Sequence, residues 1–277
     1  MSNPLLKAKC LTFILINLLI CTNCFSQIRV NVYSEKKEGN FIILADNDEF
    51  CPVSIKLDLE LNNFSSSNGN NKVFVIPAKT KRFELTTLEG IKKGTSASYK
   101  IKSLYNYGDS NLKNYSDYNY SLPFSKGNTF TLFQGYNGKF SHQNENSIDF
   151  KMPIGTEVLA ARAGTIIKVV DNFNQNCEEK KCAEFNNYVL VYHDDGTFAK
   201  YVHLKFNGAI VKEGDVIKEN DLIGYSGNVG WSNGPHLHFM VYIQRIDKIE
   251  TLKTKFKIND GKVPRILKEK EECFRDY

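Results

Sequence analysis

The stretch from Val53 to Leu61, VSIKLDLEL, alternates without a fault: Val53, Ile55, Leu57, Leu59 and Leu61 fall on one face and Ser54, Lys56, Asp58 and Glu60 on the other. A period of two is that of a strand with one buried and one wet face. Around it lie further strand-like runs: IRVNVYS from Ile28, FIIL from Phe41, KVFVI from Lys72, RFELTTL from Arg82 and SYKIKSLY from Ser98. Clusters such as NNFSSSNGNN separate them. This succession of short strands without a helical period predicts an antiparallel, immunoglobulin-like sandwich over residues 28–115. The tract from Asn106 to Asn128, rich in Asn, Ser and Tyr, loses the alternation and is read as the connection to a second domain over 125–277. Its tyrosines are either a sugar-stacking surface or the ordinary edges of a β protein.

The second half is also β. EVLAARAGTIIKVV is read as turning at Gly164, and YVLVYHDDGTFAKYVHL as a hairpin in which Asp195-Gly196 supplies a positive φ. In GAIVKEGDVIKENDLIGYSGNVG, glycines recur at short intervals through apolar pairs, as at the sharp corners of small barrels and sandwiches. No long amphipathic helix is visible, so the fold class is all-β.

Composition limits the function. The chain has 277 residues, 42% hydrophobic and 24% charged, with 18 Gly and 7 Pro, which excludes a disordered, collagen-like or multi-pass membrane protein. A formal net charge of +5 without a basic tract argues against nucleic acid as a partner. Lys7 and Lys9 precede an apolar run, Cys10 to Cys21, too short to span a bilayer, and TNCFSQ follows with small residues at Cys24 and Ser26. Residues 1–26 are therefore read as a signal peptide, with no integral membrane segment after its cleavage, which sends the chain to the periplasm or beyond the cell. Oligomeric state is not legible.

Four cysteines remain, Cys51, Cys177, Cys182 and Cys273, an even set for an oxidising compartment. Cys177 and Cys182 flank EEKK and are expected to close a small disulfide loop that modestly stabilises it without touching catalysis; a metal clip is the weaker reading, since no second Cys or His pair lies near. Cys51 with Cys273 is a pairing by elimination only.

All five histidines, His142, His193, His203, His236 and His238, lie in the second half. In GPHLHFMVY a strand period sends His236 and His238 to one face and Leu237 and Phe239 to the other. Two imidazoles on one face begin a zinc site or are merely two surface histidines; a hydrolytic zinc needs a third protein ligand and an open position. Asp149, at the head of an apolar strand, is costly to bury unless paired or metal-bound, and His142 precedes it by the six-residue spacer QNENSI. His203 ends the strand KYVHLK.

These motifs carry a resemblance. SH with SIDFKMPIGTEVLAARAGTI, YVHL, VKEGDVIKENDLIGYSGNVG and SNGPHLHF follow one another as in the lysostaphin and LytM-type zinc peptidases, which cut the peptide part of bacterial cell walls. The similarity extends over about residues 132–243. It implies a LytM-type antiparallel β peptidase domain, with His142, Asp149 and His238 as zinc ligands and His203 and His236 left to move protons and stabilise an oxyanion. It implies peptidoglycan peptides as substrate and a zinc ion that lowers the pKa of a bound water to about 7. Tyr136, in QGYNG, either reaches the oxyanion or packs; His193 resembles a structural position of the family. The sequence departs from the commoner pattern in two places. The spacer between His142 and Asp149 is longer and lacks glycine, and Val229 stands where threonine is more usual. A noncatalytic LytM-type protein that binds the wall or activates an amidase is the alternative, and such proteins usually lack ligands that this chain keeps.

Overall fold

The structure, a computed structural model, describes residues 28–277; the leader expected over residues 1–26 lies outside them. The described chain is almost entirely strand and turn, as expected, and its one helical element among the described residues is a short 3-10 turn, Lys180–Phe185.

The alternating stretch forms the strand Val53–Asn62, central in a three-stranded antiparallel sheet between Lys72–Ile76 and Ser98–Tyr107. A four-stranded antiparallel sheet faces it, ordered Val30–Lys37, Asn40–Asn47, Phe83–Gly90, Phe64–Ser66. Ile55, Leu57 and Ile76 from the first sheet and Ile43, Leu85 and Leu88 from the second fill the space between. Each such side chain contributes about 1.5–3 kcal/mol by leaving water, which is what holds two amphipathic sheets face to face. Phe64–Ser66, inside the stretch read as a separator, is a strand as well. Its three residues are too few to show a period, and Phe64 is fixed instead by edge contacts with Phe41 and Tyr99.

The second half is built on a larger sheet in which Gly164–Val170, Tyr188–Tyr192, Phe198–Val202, Leu237–Gln244, Ser147–Phe150 and Thr129–Gln134 are successive neighbours. Its two faces follow from the pleat. Leu237, Phe239 and Val241, with Ala199, Tyr201, Val189, Val191, Ile148 and Phe150, enter the main core on the back face. Tyr120, Leu122 and Phe124, from the tract read as a connection, are buried in this same core. On the front face the register sets residues in rows: Asp149, His238, Val202 and Tyr188; then Ser147, Met240, Lys200 and Leu190; then Tyr242, Phe198 and Tyr192. The third row is covered by the N-terminal sheets, because Cys51, Phe50 and Tyr107 share a core with Leu190, Phe198, Met240 and Tyr242. Asn106 Nδ2 donates to the Ile246 carbonyl at 2.7 Å and Arg245 donates to the carbonyl of Leu112, so polar contacts flank that apolar one.

Two sequence readings are corrected. Gly164 is no turn; it opens a strand where a Cβ would stand 2.5 Å from the Tyr192 carbonyl, so the glycine permits close backbone approach. Cys51 and Cys273 are not paired but buried in separate cores, where burial pushes each thiol up to about 12 and keeps it neutral. The Cys177–Cys182 disulfide forms as expected, and its loop lies beside the site, as described below. The Asp195-Gly196 hairpin is as read, with Gly196 at φ +87°.

His193 is structural, as the family position implied. Its Nδ1–H donates to the Ala163 carbonyl at 2.7 Å, while Nε2 is buried without a hydrogen-bond partner. Burial pulls its pKa down to about 4 against a partial rise from that carbonyl. The unfolded imidazole, near 6.5, therefore binds a proton that the folded one refuses between those two values. His193's contribution is whole above pH 6.5, shrinks as the pH falls toward 4 and changes no further below that. The loss amounts to about 3 kcal/mol. Urea unfolding of His193→Gln at pH 7 and pH 4.5 is expected to show a shallower acid loss than wild type; parallel curves would refute the assignment.

Candidate active site

The row that holds Asp149 and His238 gathers the other singled-out residues around it. Asp149 and His238 are directly opposed on antiparallel strands, which puts Asp149 Oδ1 3.0 Å from His238 Nδ1. His142 arrives from the turn after Thr129–Gln134: its Nε2 lies 3.2 Å from Asp149 Oδ2 and 3.2 Å from His238 Nδ1. The spacer QNENSI makes that turn without glycine because Asn144 takes φ +60°, a left-handed conformation asparagine tolerates, and the Glu145 amide donates to the His142 carbonyl. The six-residue spacer thus delivers His142 to Asp149 and His238.

Hydrogen bonds to carbonyls fix the tautomers, since a carbonyl can only accept. His142 Nδ1–H donates to Gly135 at 3.1 Å, which turns Nε2 toward Asp149 and His238. His203 Nδ1–H donates to Val229 at 2.8 Å, and His236 Nδ1–H to Gly234 at 2.7 Å, so both keep a bare Nε2. The contact from His203 uses the backbone of Val229, which explains why the departure from threonine there is tolerated. His203 holds φ +65°, a left-handed conformation uncommon outside glycine, at the end of its strand, and its ring lies 4.5 Å, centroid to centroid, from that of His236. His236 Nε2 is 3.9 Å from Asp149 Oδ1.

Electrostatics follow from this crowding. Burial favours the neutral acid of Asp149, yet the hydrogen bonds of His142 and His238 outweigh it and hold the carboxyl well below its ordinary range. Burial alone lowers His142, but Asp149 turns the balance upward. His203 is pushed down by burial first and by neighbouring imidazoles next, and His236 is pushed down by burial against a partial rise from Asp149 and the Gly234 carbonyl.

The fit to a zinc ion can be tested on these atoms. Ligand atoms at 2.0–2.2 Å from a tetrahedral ion stand about 3.3 Å apart. Here His142 Nε2 and His238 Nδ1 stand 3.2 Å apart, one or other carboxylate oxygen of Asp149 lies 3.0–3.2 Å from each of them, and one ligand atom from each of the three residues falls within 4.8 Å of the others; the donors, two imidazoles and a carboxylate, are a set zinc accepts. The residues fit.

Outer contacts that sequence reading missed hold the set in place. Gln134 Nε2 donates to Asp149 Oδ2 at 2.9 Å and to Ser141 Oγ at 2.7 Å, and its Oε1 accepts the Ser141 amide. Gln134 is recognisable only through the register that sets it opposite Asp149. Glu145 Oε1 lies 3.6 Å from His238 Nε2, the nitrogen facing away from Asp149. Gln134→Leu is expected to weaken metal binding by about 10- to 100-fold with the fold retained. Competition with a zinc chelator of known affinity measures this; an unchanged affinity would show that Asp149 needs no such support.

The set opens into a cleft of about 270 Å³. Phe133, Phe140 and Trp231 line it, with Lys200, Glu145 and Glu178 as its charged groups. One wall is the disulfide loop: Trp231 Nε1 donates to the Glu178 carbonyl, and Asn186 Oδ1 accepts the Trp231 amide at 2.9 Å. Gly230, at φ +88°, is required there, since a Cβ would meet Asn186 Oδ1 at 1.9 Å. The disulfide thus braces a wall of the cleft. Tyr136 does not belong to the site: its hydroxyl is engaged with the hydroxyl and carbonyl of Thr254, at 2.7 and 3.0 Å, so the packing reading holds. Of the tyrosines in the connecting tract, Tyr118 donates to Glu219 and Tyr120 is buried, so packing accounts for both.

The sequence profile of peptidase family M23 matches residues 143–250, which takes in Asp149, His203, His236 and His238 and begins one residue after His142. The chain carries an M23 peptidase domain. Over 254 residues it is 26% identical to an uncharacterized metalloprotease of Buchnera aphidicola subsp. Baizongia pistaciae (strain Bp), covering 84% of this chain and 63% of that protein. The chain therefore spans somewhat less than two thirds of the curated relative's length. Among solved structures, the catalytic domain of the antimicrobial peptidase lysostaphin from Staphylococcus simulans is 26% identical, with a TM-score of 0.34, over 45% of this chain and 87% of its own. LytU is 29% identical, with a TM-score of 0.34, over 47% of this chain and 85% of its own.

Proposed function

We propose that this M23 protein is an exported zinc metalloendopeptidase that hydrolyses peptide bonds in the stem peptides or cross-links of bacterial peptidoglycan. The observation that carries the reading is the convergence of His142 Nε2, Asp149 and His238 Nδ1 at 3.0–3.2 Å beside the bare Nε2 atoms of His203 and His236. When bound, zinc supplies a Lewis acid that polarises the peptide carbonyl and acidifies water. The residues of the chain do the rest. His203 and His236, each oriented by a backbone carbonyl, accept a proton at Nε2; as an imidazolium either can then stabilise an oxyanion and pass the proton to the leaving amine. Gln134 keeps Asp149 aimed, and the Trp231 wall excludes water from one side.

Export rests on the leader-like residues 1–26 and on the Cys177–Cys182 bond, which calls for an oxidising compartment, periplasmic or extracellular. We place an N-terminal unit at 28–115 and the peptidase unit at 125–277, the first serving to shape the cleft rather than to do chemistry, since the candidate catalytic groups all lie in the second. Digestion of purified peptidoglycan, with mass analysis of the released fragments, tests the reading. Peptide-bond cleavage that a chelator stops and zinc restores is the expected result; intact peptidoglycan in the presence of stoichiometric zinc would leave the domain a binding module.

A further inference from the structure

Lys200 is a charged group of the cleft that has no part in the chemistry above. It projects from the second row, two residues along its strand from Val202, which is paired with His238, and it lines the cleft. It is part-buried, and no hydrogen bond or ion pair to it is found among the described residues; its ammonium rests 4.2 Å over the ring of Tyr188. A cation removed from water with only an aromatic face for company is poorly compensated, since the quadrupole of a ring returns about 0.5–2 kcal/mol against a desolvation cost of several. Burial accordingly lowers its pKa, and Glu145, already engaged with Ser147 and close to His238 Nε2, offsets this only in part.

Its position gives the charge a use. The row beyond Lys200 is covered by the N-terminal sheets through Cys51, Phe50 and Tyr107, so the open cleft ends there. A peptide running from the His238 row along the strand direction advances about 7 Å to reach the Lys200 row and then meets a wall. A chain that stops is accommodated and a chain that continues is not. Resting on the peptidase reading above, we propose that Lys200 is a specificity-determining residue that binds the terminal carboxylate of the substrate peptide, about one or two residues beyond the scissile bond. Paired with a carboxylate, the ammonium gains the partner that the protein does not give it, and the cleft prefers peptides with a free acid terminus to those that extend further.

The test uses the full mature chain with its metal removed by a chelator, so that binding is read apart from turnover. The probe is a synthetic stem pentapeptide as the free acid, with two derivatives, one amidated at the chain terminus and one at the side carboxyl. Calorimetric titration is expected to give about 10-fold weaker binding for the terminal amide alone. Lys200→Met should bind all three like the terminal amide, and Lys200→Arg should restore the preference. Equal binding of acid and terminal amide by wild type, no measurable binding of any probe, or a preference that survives in Lys200→Met each overturns the proposal. A loss confined to the side-carboxyl amide overturns the terminal source. Should the acid preference appear while zinc-loaded protein leaves peptidoglycan uncut, the carboxylate site stands and the peptidase reading falls.

Discussion

Asp149→Ala is expected to leave the protein folded and unable to hold zinc, and His238→Ala to do the same. Structural zinc in finger peptides binds with apparent free energies of about 10–16 kcal/mol, and on that scale removing one of three protein ligands should cost on the order of 10³ in Kd. Two features of the site sharpen the expectation for Asp149. It is the residue both imidazoles face, at 3.0 and 3.2 Å, and the only anion among the three. Without it, His142 Nε2 and His238 Nδ1 meet at 3.2 Å with nothing to balance a dication. His142→Ala is the decisive companion, because its spacer is the unusual one. Metal content after dialysis, by emission spectroscopy, should fall well below one zinc per chain in all three variants, with circular dichroism unchanged. A His142→Ala protein that keeps its zinc would show that the asparagine turn delivers a bystander, and the ligand set would have to be redrawn.

What could be read without coordinates was what a local period or a local motif encodes. Val53–Leu61 declared both its strand and its buried face, because alternation is a property of adjacent residues. The histidines declared a site for the same reason: His236 and His238 share a face by strand geometry alone. Groups recruited across the fold were silent. Gln134 looks like any polar residue in QGYNG until the register sets it against Asp149. Lys200 looks like the wet side of a hairpin strand, and becomes a part-buried cation only because other strands and the N-terminal sheets close around its row. Cysteine parity misled over Cys51 and Cys273, since an even count says nothing about separation between two cores. The family's usual glycine spacing was also too narrow a criterion. A turn needs a residue that tolerates positive φ, and Asn144 is one.

His203→Ala and His236→Ala are expected to keep close to one zinc per chain while turnover on peptidoglycan falls by about 10² to 10⁴, the contribution of a positioned general acid or base. The division rests on where their nitrogens point. Each donates Nδ1–H to a backbone carbonyl, Val229 or Gly234, and so presents one lone pair, at Nε2, to the cleft. Neither belongs to the close set of His142, Asp149 and His238, and His236 Nε2 stands 3.9 Å from Asp149 Oδ1, beyond the 3.0–3.2 Å contacts of that set. The two rings lie 4.5 Å apart, so one can take a proton while the other stabilises charge. Losing either should therefore depress kcat more than KM, and losing both should cost less than the product of the single losses, as for residues that act as a unit. Zinc content and turnover measured on the same preparations separate the roles: a His203→Ala or His236→Ala protein that has lost its metal would move that residue into the ligand set, and one with unchanged kcat would remove it from the chemistry.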